Sequence, residues 1–120
     1  MTAVDPVELS NRIIDSGSAE PPHNRVTEEL VEIDDGLAVV ESFSHCWVRK
    51  TDEGLICIDA SGVQSGTAVV AALRGWTNEP LHSLIYTHGH IDHVGGSGAF
   101  MADAAQRNDQ KPTVVAHEAV

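Results

Sequence analysis

Three histidines and one aspartate lie close together in this chain, at His88, His90, Asp92 and His93. Imidazole nitrogens and carboxylate oxygens are the ligands that zinc and similar divalent ions prefer. In an extended segment His88 and His90 fall on one side, while Asp92 and His93 can turn elsewhere, so one loop could supply two metal positions. Two ions held in this way form a hydrolytic centre. Structural histidines are the alternative, but they would crowd titrating groups together without compensation, and we interpret the segment as metal-binding.

A strand and a helix should position this segment. The apolar run at 81–87 predicts a strand that delivers the histidines. A helix is predicted from about 97 to 107, after Gly95 and Gly96 allow the backbone to turn closely past the metals. Residues 113–116 predict the final strand. The metal-binding loop would therefore lie at the tip of a strand.

Hairpins and a further helix are predicted upstream. In chain order they are strands at 26–33 and 37–40 around a turn at 34–36, strands at 46–51 and 55–59 around a turn at 52–54, and a helix at 66–76. The apolar side chains of the helix recur at helical spacing and end at Trp76, which we expect to pack on the sheet rather than to form a substrate platform. Hairpins followed by alternating helices and strands indicate an α+β fold, a mixed β-sheet with helices on its outer face.

The metal-binding segment carries a resemblance to a known family. The pattern His88-x-His90-x-Asp92-His93, followed by Val94-Gly95-Gly96, resembles the signature of the metallo-β-lactamase superfamily, mostly zinc hydrolases with an αββα sandwich fold. The run at 55–59 resembles the family's earlier strand ending in an aspartate, and residues 113–116 resemble the strand after the motif helix. The resemblance implies that residues 25–120 are the N-terminal part of such a domain, half of a four-layer αββα sandwich. Residues 1–24 are expected to form an irregular arm with at most one short helix.

The resemblance also implies a set of ligands. His88 and His90 would bind one metal, and Asp92 and His93 the second, with two zinc ions in a complete site and iron or manganese as other possibilities. Asp59 would accept the free N–H of a ligand histidine and fix its tautomer, unless it is only a helix-capping or turn residue. Asp92 is the expected catalytic residue, since it could both bind metal and orient the attacking hydroxide.

Ligands that the family usually supplies further downstream are not found before Val120. The one histidine after the motif, His117, lies closer to it than the family's next ligand normally falls, and we interpret residues 117–118 as the start of another helix. We therefore expect this chain to be a truncated portion that lacks its C-terminal part. A complementary C-terminal segment or a second copy in a homodimer would cover the inner face of its sheet.

The function implied by the resemblance is metal-dependent hydrolysis of an ester-type substrate by a metal-activated water. A sulfate ester, a thioester, a lactone and a β-lactam all remain open as substrates. Tyr86-Thr87, the helix at 63–76 and the ending at 116–118 resemble the alkyl-sulfatase branch. Alternatives are a catalytically silent fragment or assembly half that binds metal weakly, and a di-iron redox role.

Composition limits the partners. The chain has a net charge of −11, which argues against nucleic-acid and anionic-membrane binding and leaves a small-molecule substrate. No run of residues reaches the length of a membrane span, and no secretory signal is evident. A three-residue turn at 52–54 would pair Thr51 with Leu55 and place Cys46 and Cys57 on opposite faces, so that a disulfide is not expected. Reduced cysteines without a signal sequence favour the cytoplasm.

Three other histidines lack a ligand pattern. His45 follows Phe43-Ser44 in a loop that the family often places at the mouth of the active site, so it could touch substrate or simply stand at a strand edge. We assign no functional role to His23 or His82.

Overall fold

The computed structural model describes residues 5–19 and 25–120. Its centre is a mixed six-stranded sheet in which the strands follow one another in chain order. The strands are β1 (Glu29–Asp34), β2 (Leu37–Glu41), β3 (Cys46–Thr51), β4 (Gly54–Ile58), β5 (Leu81–Ile85) and β6 (Thr113–Val115), and the helices are α1 (Pro6–Ser16), α2 (Gly66–Trp76), α3 (Ile91–Val94) and α4 (Ser97–Gln106). β1 to β4 pair antiparallel, whereas β4, β5 and β6 are parallel. The predicted α+β class with a mixed sheet is confirmed.

Helix α1 lies within the arm that the sequence predicted to be irregular. Asp5 caps it, because its Oδ1 accepts hydrogen bonds from the N–H groups of Val7 and Glu8, and Gly17 ends it with a left-handed φ of 66°. Leu9 is its buried residue. The arm therefore contains one helix of three turns, while Pro21, Pro22 and His23 lie outside the described residues.

The first strand begins later than the alternation at 26–33 predicts. The N–H groups of Thr27 and Glu28 both donate to the carbonyl of Glu41, at 3.1 and 2.8 Å, and Glu28 has a φ of 55°. Two residues facing one carbonyl break the regular ladder, so β1 starts at Glu29. Beside this irregularity the guanidinium of Arg25 forms a buried ion pair with the Glu41 carboxylate.

The expected arrangement of the two cysteines is wrong. Thr51 pairs with Gly54 rather than with Leu55, because the β3–β4 turn uses two residues and not three. Cys57 consequently lies opposite Val48, and Cys46 and Cys57 are both fully buried in the same core. Both thiols are nevertheless free, as expected.

The core lies between one face of the sheet and helices α2 and α4. Its largest members include Val48 and Leu55 from the sheet, Leu73 from α2 and Phe100 from α4. Trp76 packs against this cluster from its edge, which confirms its expected structural position. The helices thus cover one face of the sheet, as predicted.

Two glycines let α2 and α4 approach each other closely. A Cβ at Gly66 would lie 2.7 Å from the Cα of Gly96, and a Cβ at Gly96 would lie 2.0 Å from the carbonyl oxygen of Ala60. Gly95 is equally confined, since a Cβ there would lie 2.5 Å from the carbonyl oxygen of Ile91. The space that these glycines provide is therefore taken by neighbouring backbone, and the contact fixes α4 against the segment that follows β4.

The other face of the sheet is apolar and only partly covered. It includes Trp47 and Ile58, which are 39% and 36% exposed, together with Val115. Helix α1 stands over one part of it and encloses a cleft of about 520 Å³ between Leu9, Ile13 and Trp47. None of the helices in the described ranges has the length and apolar character that a membrane crossing requires.

Candidate metal centre

Parallel pairing brings the site residues to one edge of the sheet. Ile58 at the end of β4 pairs with Ile85 at the end of β5, so the residues that follow both strands leave the sheet side by side. Asp59 follows β4, and Thr87 and His88 follow β5. The carboxyl ends of parallel strands are a common position for ligand sites in sheets with helical crossovers.

The four predicted ligands lie near one another. The ring centroid of His88 is 4.6 Å from that of His90 and 4.0 Å from that of His93. One carboxylate oxygen of Asp92 is 3.5 Å from Nε2 of His93. Short helix α3 carries both Asp92 and His93, and its first residue follows His90 directly. The loop therefore gathers three imidazoles and a carboxylate, as the spacing predicted.

Asp59 is buried and holds the loop to the sheet. Its carboxylate accepts hydrogen bonds from the N–H of Thr87 at 2.8 Å, from the Thr87 hydroxyl at 2.7 Å and from Nδ1 of His93 at 2.8 Å. Burial alone would raise the pKa of Asp59, but these hydrogen bonds outweigh it and lower the pKa. Asp59 thus contacts β5 and a histidine instead of capping a helix, while its part in metal binding stays a prediction.

The same contacts assign the tautomers of two histidines. An ionised carboxylate can only accept, so Nδ1 of His93 carries a proton and donates to Asp59. The Thr87 hydroxyl donates to Asp59 and can then only accept from Nδ1 of His88, which lies 2.9 Å away. Both rings therefore donate from Nδ1, which leaves Nε2 as the nitrogen of each ring that could bind a metal, the arrangement that partners of metal-binding histidines usually impose.

Three buried serines form hydrogen bonds beside the loop, and no sequence pattern predicted them. The Ser44 hydroxyl lies 3.0 and 3.2 Å from the two ring nitrogens of His93. Ser61 accepts from the N–H of Ser44, and its hydroxyl lies 2.8 Å from that of Ser42. Asp59 and Ser61 both have positive φ, at 63° and 60°, which costs non-glycine residues energy and often marks functional segments. No short-range pattern could have predicted contacts between such distant segments.

The types of donor atom in the cluster suit a metal ion, but their arrangement does not form a metal site. The donor types, and the engagement of Nδ1 on two of the rings, fit a zinc ion. Yet within residues 5–19 and 25–120 no group of three or more histidine, cysteine, aspartate or glutamate side chains is arranged so that it could hold a metal ion. The ring of His88 contacts that of His90 edge-on and that of His93 at a tilt. The described residues therefore fit a metal in chemistry and in tautomer, and they do not form a closed site by themselves.

The remaining histidines lie outside this cluster. His45 is half-buried and borders both the site cleft and the cleft under α1. His82 lies 3.4 Å from a carboxylate oxygen of Glu53 and bonds to Ser83. Nδ1 of His117 accepts from the N–H of Ala119 within a turn, and the start of a helix at 117–118 stays a prediction. A backbone hydrogen bond from Val120 to His117 closes that turn.

A cleft of about 450 Å³ opens over the cluster. Its lining comes from the segment between β2 and β3, from β3 and β4, and from the residues that follow β4 and β5: Phe43, Ser44, His45, Trp47, Ile58, Asp59, Thr87, Asp92 and His93. Pockets of this size hold small organic molecules. The cleft thus gives a small molecule access to Asp92 and His93.

The family model described as the metallo-beta-lactamase superfamily matches residues 39–105, which is more than half of the chain. The chain belongs to this superfamily. Its resemblance to the superfamily signature is thereby confirmed, and the alkylsulfatases among its relatives confirm the likeness to that branch. Members of the superfamily are hydrolases that generally bind metal ions, usually zinc.

Relatives of two kinds are similar to this superfamily member. It is 36% identical to the linear primary-alkylsulfatase of Pseudomonas sp. (strain ATCC 19151) over 55 residues, which are 45% of this chain and 10% of the relative. Among solved structures, the stereoselective inverting sec-alkylsulfatase from Pseudomonas sp. matches 72% of this chain with a TM-score of 0.57 and 25% identity. A metallo-beta-lactamase of Cronobacter sakazakii matches 98% of it with a TM-score of 0.66 and 16% identity.

The superfamily chain described here is much shorter than these relatives. It spans 14% of the sec-alkylsulfatase and 37% of the Cronobacter sakazakii enzyme. The match to the latter includes nearly all of this chain, so the mixed sheet with its outer helices corresponds to one part of that enzyme's fold. The predicted fold class, half of an αββα sandwich, is confirmed.

Proposed function

We propose that this chain carries the N-terminal share of a metal-dependent hydrolytic centre that acts on an ester-type small molecule. The observation that carries the proposal is the clustering of His88, His90 and His93 with Asp92, where the Asp59–Thr87 pair engages Nδ1 on two of the rings. A bound divalent ion would supply an activated water at neutral pH. Zinc is the proposed metal, with two ions per complete site, and iron or manganese are the alternatives.

Each side chain has a distinct role in this proposal. His88 and His90 would hold one ion, and Asp92 and His93 the other. Asp92 would also accept a hydrogen bond from the attacking water and so orient it toward the ester. Asp59 fixes the ring of His93 and, through the Thr87 hydroxyl, the ring of His88. Because the described side chains do not close a site, further ligands would come from a complementary C-terminal segment or from a second copy of this chain.

Sulfate esters are the first substrates to test. Both alkylsulfatase relatives support this choice, and the net charge of −11 disfavours phosphate-rich nucleic acids and anionic membranes as partners. Thioesters, lactones and β-lactams need the same kind of activated water and form the comparison panel. The buried free thiols of Cys46 and Cys57 agree with a reducing compartment, and we place the protein in the cytoplasm.

Zinc titration and a hydrolysis panel test this function together. The protein should bind zinc and hydrolyse at least one class of ester, and His88→Ala and His90→Ala should lower metal content and turnover together. His82→Ala is the matched control, because it removes an imidazole that bonds to Ser83 and lies outside the cluster. Turnover at the wild-type rate in both His88→Ala and His90→Ala would show that the assignment is wrong.

A second candidate is a metal-binding assembly half without turnover of its own. The lack of a closed ligand group among the described residues favours it. In this case calorimetry would show that zinc stabilises the folded chain, but none of the ester classes would be hydrolysed until a complementary segment is added. Turnover by this chain alone would exclude this candidate.

A further inference from the structure

A line of hydrogen bonds runs from Glu28 to the serines beside the metal-binding loop. Oε1 of Glu28 accepts from the Ser42 hydroxyl at 3.1 Å, and the Ser42 hydroxyl lies 2.8 Å from that of Ser61. Ser61 accepts from the N–H of Ser44 at 3.4 Å, and the Ser44 hydroxyl contacts His93. We call Glu28 and the three serines the serine network. Its members come from three separate parts of the sequence, so the network forms only when the sheet is folded.

The carboxylate of Glu28 gives this network one direction. An ionised carboxylate only accepts, so Ser42 donates its single proton to Glu28 and must accept from Ser61. Ser61 then has only lone pairs left, and one of them accepts from the N–H of Ser44. The position of Ser44 therefore depends on a carboxylate at the far end of the network.

The Ser44 hydroxyl lies over the face of the His93 ring. Its oxygen is 3.0 Å from Nδ1 and 3.2 Å from Nε2. These nitrogens flank Cε1, so an oxygen in the ring plane at both distances would overlap that carbon. The hydroxyl therefore contacts the ring face, while Asp59 accepts from Nδ1 at 2.8 Å. One hydrogen bond still lets the ring turn, and a second contact on its face restricts that turn.

Stability alone does not explain the serine network. Among the described residues, Oε2 of Glu28 is buried without a hydrogen-bond partner, and such an oxygen costs folding free energy. Glu28 and Ser61 also have left-handed φ values of 55° and 60°. These conformations cost non-glycine residues energy and cluster at functional sites. The network that carries these costs ends at His93, which indicates a role in the metal-binding loop.

We propose that Ser44 is a positioning residue for His93 and that the serine network, beginning at Glu28, holds Ser44 against the ring. This inference rests on the proposed function, because the direction of the ring matters only if His93 binds a metal. It adds residues that act through His93 and do not bind the metal themselves. With the ring held, Nε2 keeps one direction, so that a zinc ion meets a ligand that is already oriented.

Motion of the His93 ring in the metal-free protein provides the first test. Ser44→Ala should make the ring more mobile, measured by carbon-13 relaxation of its Cε1–H group at constant pH. Ser83→Ala is the matched control, because Ser83 is also buried and its hydroxyl lies 2.6 Å from Nδ1 of His82, a histidine outside the cluster. The control should leave the His93 ring unchanged. Equal ring mobility in Ser44→Ala and wild type would overturn the proposal.

Two substitutions at Ser61 separate positioning from stability. Ser61→Ala and Ser61→Gly both remove the hydroxyl, but glycine adopts the φ of 60° without strain. Ser61→Gly should therefore unfold at a higher urea concentration than Ser61→Ala, whereas both should raise the Kd for zinc by a similar factor, about tenfold. If zinc affinity follows the order of stability instead, Ser61 only supports the fold and the proposal fails.

Substitutions at Glu28 test the far end of the network. Glu28→Gln keeps an acceptor for Ser42 and should bind zinc like the wild type. Glu28→Leu removes the acceptor and should raise the Kd for zinc, although three serines separate Glu28 from His93 in the network. Equal zinc affinity in Glu28→Leu and wild type would overturn the assignment of Glu28 as the start of the network.

The two hypotheses fail in different ways. If Ser44→Ala frees the His93 ring but the protein neither binds zinc nor hydrolyses an ester, the proposed function fails while the serine network still orders the ring. If zinc binds and esters are hydrolysed equally well in wild type and in all Ser44 and Ser61 variants, the positioning proposal fails alone.

Discussion

Thr87 shows how one hydroxyl can control two histidines. It donates to the Asp59 carboxylate at 2.7 Å and lies 2.9 Å from Nδ1 of His88, while Asp59 also accepts from His93. A threonine hydroxyl has a single proton, so committing it to Asp59 forces His88 to donate from Nδ1. In both rings Nε2 is then the nitrogen that could bind a metal.

Replacement of Thr87 by valine should therefore weaken both metal binding and folding. Thr87→Val keeps the shape of the side chain and removes the hydroxyl, which we expect to weaken zinc binding by about 10- to 100-fold. Loss of a hydrogen bond to a charged group should lower the free energy of unfolding by about 1.5–3 kcal/mol. Zinc titration and urea unfolding measure the two effects. Thr87→Ser retains the hydroxyl and should stay near wild type; equal zinc affinity in all three proteins would refute this role.

The residues that form the metal-binding loop were predictable from the sequence, but the hydrogen bonds that hold them in place were not. His88, His90, Asp92 and His93 are adjacent in sequence, so composition alone indicated their chemistry. Ser44 reaches His93 across 49 positions of the chain, and a contact of that range depends on how the strands pair. The sequence could therefore indicate which residues gather and not which hydroxyl groups hold them.

Among the elements, the contact between α2 and α4 is the least tolerant of change. Gly96 lies against both Ala60 and Gly66, whereas a Cβ at Gly98, two residues further along the chain, would have no atom within 4 Å. At Gly96 backbone atoms contact other backbone atoms, so rotation of a side chain cannot relieve crowding there.

Alanine substitutions at these two glycines should change stability in opposite directions. Gly96→Ala should lower the free energy of unfolding by more than about 2 kcal/mol, because the new methyl group collides with backbone. Gly98→Ala should raise it by about 0.5–1 kcal/mol, since alanine is the better helix former. Urea unfolding compares the two. A stable Gly96→Ala protein would mean that α4 can move away from the segment after β4.

Helix α2 is also tied to β1 by a pH-sensitive contact. Glu32 accepts from Nε1 of Trp76 at 2.6 Å and from the N–H of Gly36 at 3.1 Å, and Lys50 lies over the Trp76 ring. The hydrogen bond from Trp76, followed by that from Gly36, lowers the pKa of Glu32. Since the folded pKa is the lower one, the stabilising effect is present above the unfolded value near pH 4.3 and is lost as the pH falls through the folded pKa.

Glu32→Gln should remove this dependence. At neutral pH the variant should unfold at a lower denaturant concentration than wild type, and the difference should shrink as the pH falls below about 4. Denaturation followed by tryptophan fluorescence at several pH values provides the measurement. A difference that grows on acidification would contradict the assignment.

The register of β3 against β4 could not be predicted from the sequence. Every strand and both longer helices after residue 25 were predicted close to their observed positions, because period and turn residues define them locally. The residue count of the turn before Gly54 was not defined in this way, since glycine can end a turn or begin a strand. A change of one residue there reverses the face on which Cys57 lies.

At the scale of the whole molecule, negative charge is the dominant electrostatic feature. The chain has 18 acidic and 7 basic residues, and the more buried ion pairs, Arg25–Glu41 and Arg74–Asp103, use two of those bases. Most of the acidic groups therefore repel one another across the surface, and this repulsion destabilises the compact state.

Salt should accordingly stabilise the fold. We expect Tm to rise as sodium chloride is raised from low to moderate concentration, because counterions screen repulsion between exposed charges. Calorimetry measures the shift, and sucrose at equal osmolality is the control for effects other than screening. A fall in Tm would mean that attraction within the ion pairs exceeds the general repulsion.

The two core thiols have a practical consequence for labelling chemistry. Cys46 and Cys57 are the only cysteines in the sequence, both are inaccessible to solvent, and a hydrogen bond with Cys57 together with burial raises the pKa of Cys46. Alkylating reagents attack the thiolate, so the native protein should react only when it opens globally. A cysteine introduced at Val63 could then carry a fluorophore or spin label selectively without removal of either natural thiol.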